Sequence, residues 1–182
     1  MDNFQNQYII KLSEILYQIA AGRGFIIEKP FEIDELIEKW DQVAPHYVAD
    51  AVVEFQDYPT VAIAWAGYVG MGMAKIWDTN WAESHNHSNF YELFKNPRGF
   101  DYMDDYILEE FFGLNKNDEV YKKITSLWQS ISSSALTVMH KENVTPQSQE
   151  AYNLFVSTVK TTYKIGISIA LNMMGYKYEK KN

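Results

Sequence analysis

The chain has no cysteine. That absence excludes disulfides, zinc–thiolate sites and thiol nucleophiles together, and it fits a reducing compartment, so a cytoplasmic location is expected. The opening MDNFQNQYIIKL has neither a basic start nor a continuous apolar run, so no secretory leader is expected there. Positive charge is scarce: 16 Lys and Arg stand against 24 Asp and Glu, a formal net charge of −8. Nucleic-acid and anionic-membrane partners both need a basic face, and neither is expected. Long apolar runs are missing too. The uncharged stretch from Pro59 to Ala74 covers 16 residues and is diluted by glycine, short of the ~20 a membrane span requires.

Catalytic signatures are equally sparse. There is no H-E-x-x-H, no E-x-x-H pair of the di-iron bundles and no G-x-S-x-G elbow. The stretch AWAGYVGMGMAKIWDTNW, Ala64 to Trp81, begins a dinucleotide fingerprint at Gly70 and Gly72, but Lys75 stands where the third glycine or alanine belongs. It also lacks the Gly-Lys-Ser/Thr of a phosphate loop. Alternating period-two runs are absent apart from a short Phe25-Ile26-Ile27, which could be extended.

What is present is helical periodicity and aromatic mass. The 182 residues suit one domain. With 47% hydrophobic residues, 13 Tyr, 10 Phe and 5 Trp, the chain can bury a sizeable core. Tyr8, Leu12, Ile15 and Ile19 lie on one helical stripe, closed by Gly22 and Gly24. Ile33, Leu36, Ile37, Trp40 and Val43 mark a second helix that Pro45 should end. A third covers 46–57, and Pro59 opens a fourth over about 59–77. A short helix near 89–95 follows, then one over 101–112 with Asp101 as its N-cap and Gly113 as its stop. Val120 to about residue 141 forms a long helix, and Thr145-Pro146 should start the last. Residues 176–182 read as a frayed tail. The expected architecture is all-α: a single-domain bundle of about six to eight helices around a buried central helix, with long neighbours antiparallel.

The fourth helix is the expected centre because it is apolar nearly all round. Ala62, Ala66, Gly70 and Ala74 recur every four residues along it, and Gly166 and Ala170 repeat that spacing in the last helix. Small residues on such a ridge let two backbones approach closely. Each interior glycine costs about 1 kcal/mol against alanine, so close packing is the expected return.

The segment WDTNWAESHNHSNFYE, Trp77 to Glu92, concentrates the chemistry-bearing residues. Asp78, Glu83, His85 and His87 are reasonable ligands for a divalent metal; otherwise no cofactor is expected. Trp77 and Trp81 would line a pocket at the end of the central helix, and Trp65, Tyr68 and Trp128 could hold an organic ligand between helices. His46, Asp50, Glu54 and Asp57 share one face within about 80°, as a solvated stripe would. Asp101, Asp104, Asp105, Glu109 and Glu110 read as dipole complementation plus a solvated face. Ser132, Ser133 and Ser134 sit mid-helix and could pack closely or line a polar cavity.

Charge is unevenly spread. Residues 28–57 hold nine acids and two lysines, whereas residues 116–182 hold nine lysines and five acids. Together with the missing catalytic motifs, this favours a non-catalytic protein that binds a protein partner or assembles as a homo-oligomer. The alternative is a metal-dependent enzyme or ligand-binding bundle with its site at 77–92.

Overall fold

The computed structural model describes residues 3–84, 87 and 89–179, without the side chains of residues 83 and 84. Among these the protein is all-helical and has no strand. The helices are α1 Asn3–Gly22, α2 Asp34–Glu38, α3 Trp40–Phe55, α4 Pro59–Ser84, α5 Phe90–Lys95, α6 Met103–Tyr106, α7 Glu119–Lys141 and α8 Gln149–Met173. A 3₁₀ turn, Phe100–Tyr102, precedes α6, and a π-helical turn, Ile107–Phe111, follows it. None of these helices is long and apolar enough to cross a membrane.

α4 is the axis. Ala62, Ile63, Ala66, Val69, Met71, Met73 and Ala74 are fully buried on it. Its most extensive partner is α8, on which Tyr163, Gly166 and Ile167 meet it at Gly67 and Gly70. The two backbones touch. A Cβ on Gly70 would overlap the Tyr163 carbonyl oxygen, and one on Gly166 would overlap the Gly67 carbonyl oxygen. The other notches serve different neighbours: the Trp128 indole of α7 fills the space over Gly67, and the Phe94 ring of α5 fills that over Gly72. Three glycines in one turn and a half of helix thus seat three separate elements.

α4 and α8 run parallel, not antiparallel as the helical pattern alone suggests. Gly67 lies against Gly166, and ten residues further along both chains the Trp77 and Tyr176 rings meet at 5.7 Å. Antiparallel order is enforced only by short loops between consecutive helices, and three helices separate this pair. α3 runs against both: Trp40 meets Tyr163 at 4.9 Å, and the Tyr47 hydroxyl donates to the Ala62 carbonyl at 2.5 Å. α7 also runs against them, with Trp128 at Gly67 and the Met139 sulfur 3.9 Å from Thr158 Oγ1.

Local signals misplace several boundaries. Pro45 lies inside α3, in its second turn, and the chain breaks earlier, at Lys39. One lost backbone bond is outweighed by the burial of Trp40, Val43, Tyr47, Val48 and Ala51. α4 continues past 77 until Asn80 leaves helical geometry at φ −155°, ψ 42°. Asp101 caps nothing and lies in the 3₁₀ turn. α8 starts at Gln149 because Ser148, not Thr145, accepts the Ala151 N–H at 3.1 Å. Residues 25–27 are not a strand: the Phe25 N–H closes α1 on the Ala20 carbonyl, 2.9 Å away. Ser132 is buried, and its hydroxyl donates back to the Trp128 carbonyl at 2.7 Å. The chain end is docked rather than frayed as far as Tyr178. The Tyr176 hydroxyl donates to Asp78 at 2.5 Å, Tyr178 stacks on Phe31 at 4.8 Å, and its hydroxyl donates to the Pro30 carbonyl.

The α4–α8 contact makes a sharp mutational test. Gly166→Ala gains helix propensity yet forces a methyl onto the Gly67 carbonyl, so urea unfolding should show a loss of about 1–3 kcal/mol. Gly22→Ala, in open space at the end of α1, should stabilise by about 0.4–1 kcal/mol. Equal effects at the two positions would contradict the backbone contact.

Candidate functional site

The residues singled out by the sequence fall into two separate groups. At the end of α4, the indole N–H groups of Trp77 and Trp81 both donate to Glu35 of α2, at 2.9 and 3.1 Å. One carboxylate thereby ties α2 to successive turns of α4. Trp81 lies against Phe90 at 6.3 Å, and the Lys39 ammonium sits 5.6 Å from the Trp81 ring. Asp78 is engaged by Tyr176. This corner joins α2, α4, α5 and the chain end.

Trp65, Tyr68 and Trp128 form the second group, inside the core. Their rings follow one another at 5.5 and 5.7 Å. Trp65 Nε1 donates to the Phe100 carbonyl at 2.7 Å, and Trp128 Nε1 points at the Met71 sulfur at 3.4 Å. Tyr68 and Trp128 are 1% exposed. These rings close on each other and on the Gly67 notch. The structure does not bring them together with Trp77 and Trp81.

The candidate metal ligands do not converge among the described residues. Asp78 is held by Tyr176, and His87 is exposed with its ring 6.3 Å from Phe90. The Glu83 side chain and His85 lie outside the described residues. No group of three or more His, Asp or Glu suited to a metal occurs among those described.

The irregular segment after α4 carries the chemistry that the sequence reading undervalued. Asp50, read as part of a solvated stripe, pins α5: it accepts the Tyr91 hydroxyl and the Lys95 ammonium, both at 2.6 Å. Past α5 the chain passes through 3₁₀, α and π geometry in 12 residues, ended by Gly113 at φ +64°. π-turns occur frequently at functional sites. Here the turn follows two neighbouring carboxylates, Asp104 and Asp105, and itself carries Glu109 and Glu110, which Arg98 holds at 2.6 and 3.3 Å. Burial pushes the Asp104 carboxyl up to about 6, and the adjacent Asp105 charge adds to the rise. Burial also works against the Asp105 charge, but the Lys116 ammonium at 2.8 Å and the Tyr121 hydroxyl outweigh it and hold that carboxyl below its usual range. The buried Tyr68 hydroxyl beside Asp104 is pushed far above the ordinary phenol range. Two adjacent acids with opposite shifts are a recognised arrangement for proton chemistry.

Two open depressions flank this segment. One, of about 450 Å³, is lined by the Asn89–Pro97 side of α5, His87 and Tyr106. The other, of about 480 Å³, is lined by Glu109, Gly113, Leu114, Asn115 and Lys116. Position alone gave no signal for Asp104: the groups that interact with its charge include Tyr68, Lys116 and Tyr121, all remote in sequence.

The Asp104 shift has a definite sign. Its carboxyl titrates near 4 in the unfolded chain and near 6 in the fold. The folded state therefore holds an extra proton between those values, and stability falls as pH rises through that window. At pH 7.5 Asp104→Asn should raise the unfolding free energy by up to about 2 kcal/mol, and the two proteins should converge near pH 4. A difference that does not vary with pH would contradict this. No protein family, curated protein or solved structure matches this chain.

Proposed function

We propose that this chain is an interaction protein that associates with a second copy of itself through one end of the bundle. The observation that supports the reading is an apolar surface where α3 ends and α4 and α8 begin. Phe55 and Phe155 meet there at 4.9 Å. Val52 and Tyr58 stand three residues to either side of Phe55, and Tyr152 stands three residues before Phe155, so helical spacing places them beside that contact. Val52 is 36% exposed, Tyr58 59% and Tyr152 46%. Exposed tyrosines around an apolar centre are typical anchors of protein interfaces.

The flanks of this surface differ in charge. Glu54 and Asp57 close the α3 side, and Lys160 lies five residues beyond Phe155 on α8; none of the three makes an ion pair among the described residues. In a two-fold contact one patch meets the same patch of its partner. The acidic flank of one copy then reaches the basic flank of the other, and the uneven charge of residues 28–57 and 116–182 becomes complementary.

Sedimentation equilibrium across the micromolar range tests the proposal. The wild type should rise above the 21.2 kDa monomer mass, and added salt should weaken the association. Tyr58→Ser with Tyr152→Ser should return the monomer while keeping the helical circular dichroism of the wild type. A wild type that stays monomeric at the highest concentration sinks the reading.

A further inference from the structure

α1 ends against the side of α7, and Arg23, the residue after it, reaches across. Its Nη1 donates to Ser126 Oγ at 2.9 Å and its Nη2 to Ser130 Oγ at 2.5 Å. The two serines stand four residues apart on one face of α7, Ser126 exposed and Ser130 half-buried. Arg23 itself is exposed, so the group is open to solvent.

The chain has two arginines, and their charges are treated differently. Arg98 is answered by Glu109 and Glu110, at 2.6 and 3.3 Å. Arg23 makes no ion pair among the described residues and spends its side-chain bonds on neutral hydroxyls. The serines are unusual as well. Mid-helix hydroxyls commonly donate back to the carbonyl four residues earlier. Thr125, Ser132 and Thr137 of α7 do so, at 3.1, 2.7 and 3.0 Å. Ser126 and Ser130 accept from Arg23 and donate to nothing among the described residues. Two hydroxyl protons and one further N–H on each terminal guanidinium nitrogen are thus unused at one exposed spot.

The charge beside the serines on α7 is positive. Lys122 and Lys123 stand one turn before Ser126, and neither makes an ion pair among the described residues. The acids of the adjoining segments are Glu14 on α1, Glu28 in the loop after it and Glu119 at the start of α7. None of them pairs with Arg23. The last carbonyls of α1, which would repel an anion, are already occupied: Ile19, Ala20 and Ala21 accept the N–H groups of Arg23, Phe25 and Gly24. Unanswered positive charge with convergent free donors calls for an oxyanion. Two hydroxyls one helical turn apart with a guanidinium between them suit a tetrahedral group with three free oxygens better than a planar carboxylate with two. We propose that Arg23, Ser126 and Ser130 bind a phosphate dianion, free or at the end of a small phosphomonoester. The guanidinium supplies the charge, and the two hydroxyls donate to separate oxygens. The site shares no residue with the self-association surface and stands or falls separately from it.

Equilibrium dialysis of the full chain with labelled inorganic phosphate, at fixed ionic strength, tests this. One saturable site is expected. Arg23→Gln should weaken it about tenfold or more, as loss of a charged donor implies. Ser126→Ala with Ser130→Ala leaves the arginine in place and should weaken binding roughly three- to tenfold while keeping the helical circular dichroism of the wild type. Unlabelled glycerol 3-phosphate and inorganic phosphate are then compared as competitors: the one that displaces the label at lower concentration identifies whether a monoester or the free ion is the fitted form. Acetate should displace neither. No saturable phosphate binding by the folded wild type up to about 10 mM overturns the proposal. So does binding that the serine pair leaves unchanged, which is what a purely structural tie between α1 and α7 would give, or acetate competing as well as phosphate.

Discussion

The approach of α4 and α8, backbone against backbone, is the constraint on which the other elements depend. Gly67 and Gly166 touch through main-chain atoms, and Gly70 lies on the Tyr163 carbonyl. Helices this close share few side chains at the crossing itself. Their stability comes from dense van der Waals contact and from the larger residues stacked on either side. Because the pair is parallel, their dipoles are aligned, and α3 and α7 run against both. The opposed α3 and α7 offset part of that alignment.

From that axis the rest follows by notches. Removing the Cβ at Gly67 admits the Trp128 indole and seats α7; removing it at Gly72 admits Phe94 and seats α5. The helix gives up intrinsic propensity at three positions, and the aromatic burial gained is larger. The same arrangement fills the centre of the molecule. Trp65, Tyr68 and Trp128 are spent on packing, and the open depressions lie around the short, irregular elements outside the axis. α5 is held from two sides, by Phe94 in the Gly72 notch and by Asp50 on Tyr91 and Lys95. A six-residue helix has little stability of its own, so this anchoring is what allows it to present an ordered face.

The legible parts of the site were those set by side-chain type along one helix. Trp77, Asp78 and Trp81 do leave the buried axis together, as a polar-aromatic exit. Their partners, Glu35 and Tyr176, are 42 to 98 positions away, and no local pattern connects them. Asp104 and Asp105 look identical in sequence, each one more acid at a helix start. Tyr68 and the burial around it separate the first, and Lys116 and Tyr121 the second. Asn89 shows the converse: it stands at the N-cap position of α5, and its side chain makes no cap bond.

By itself the sequence determined the all-helical class, the buried central helix and the need for small residues along it. Those properties depend on hydrophobic period and on glycine and alanine spacing, which act over a few turns. Tertiary structure decided the rest. It set α4 and α8 parallel, placed Pro45 within a helix, gave the 100–111 segment its π-turn and split two adjacent aspartates. Each of these depends on atoms far apart in the chain and brought within a few ångströms, where burial and charge act through space without regard to sequence order.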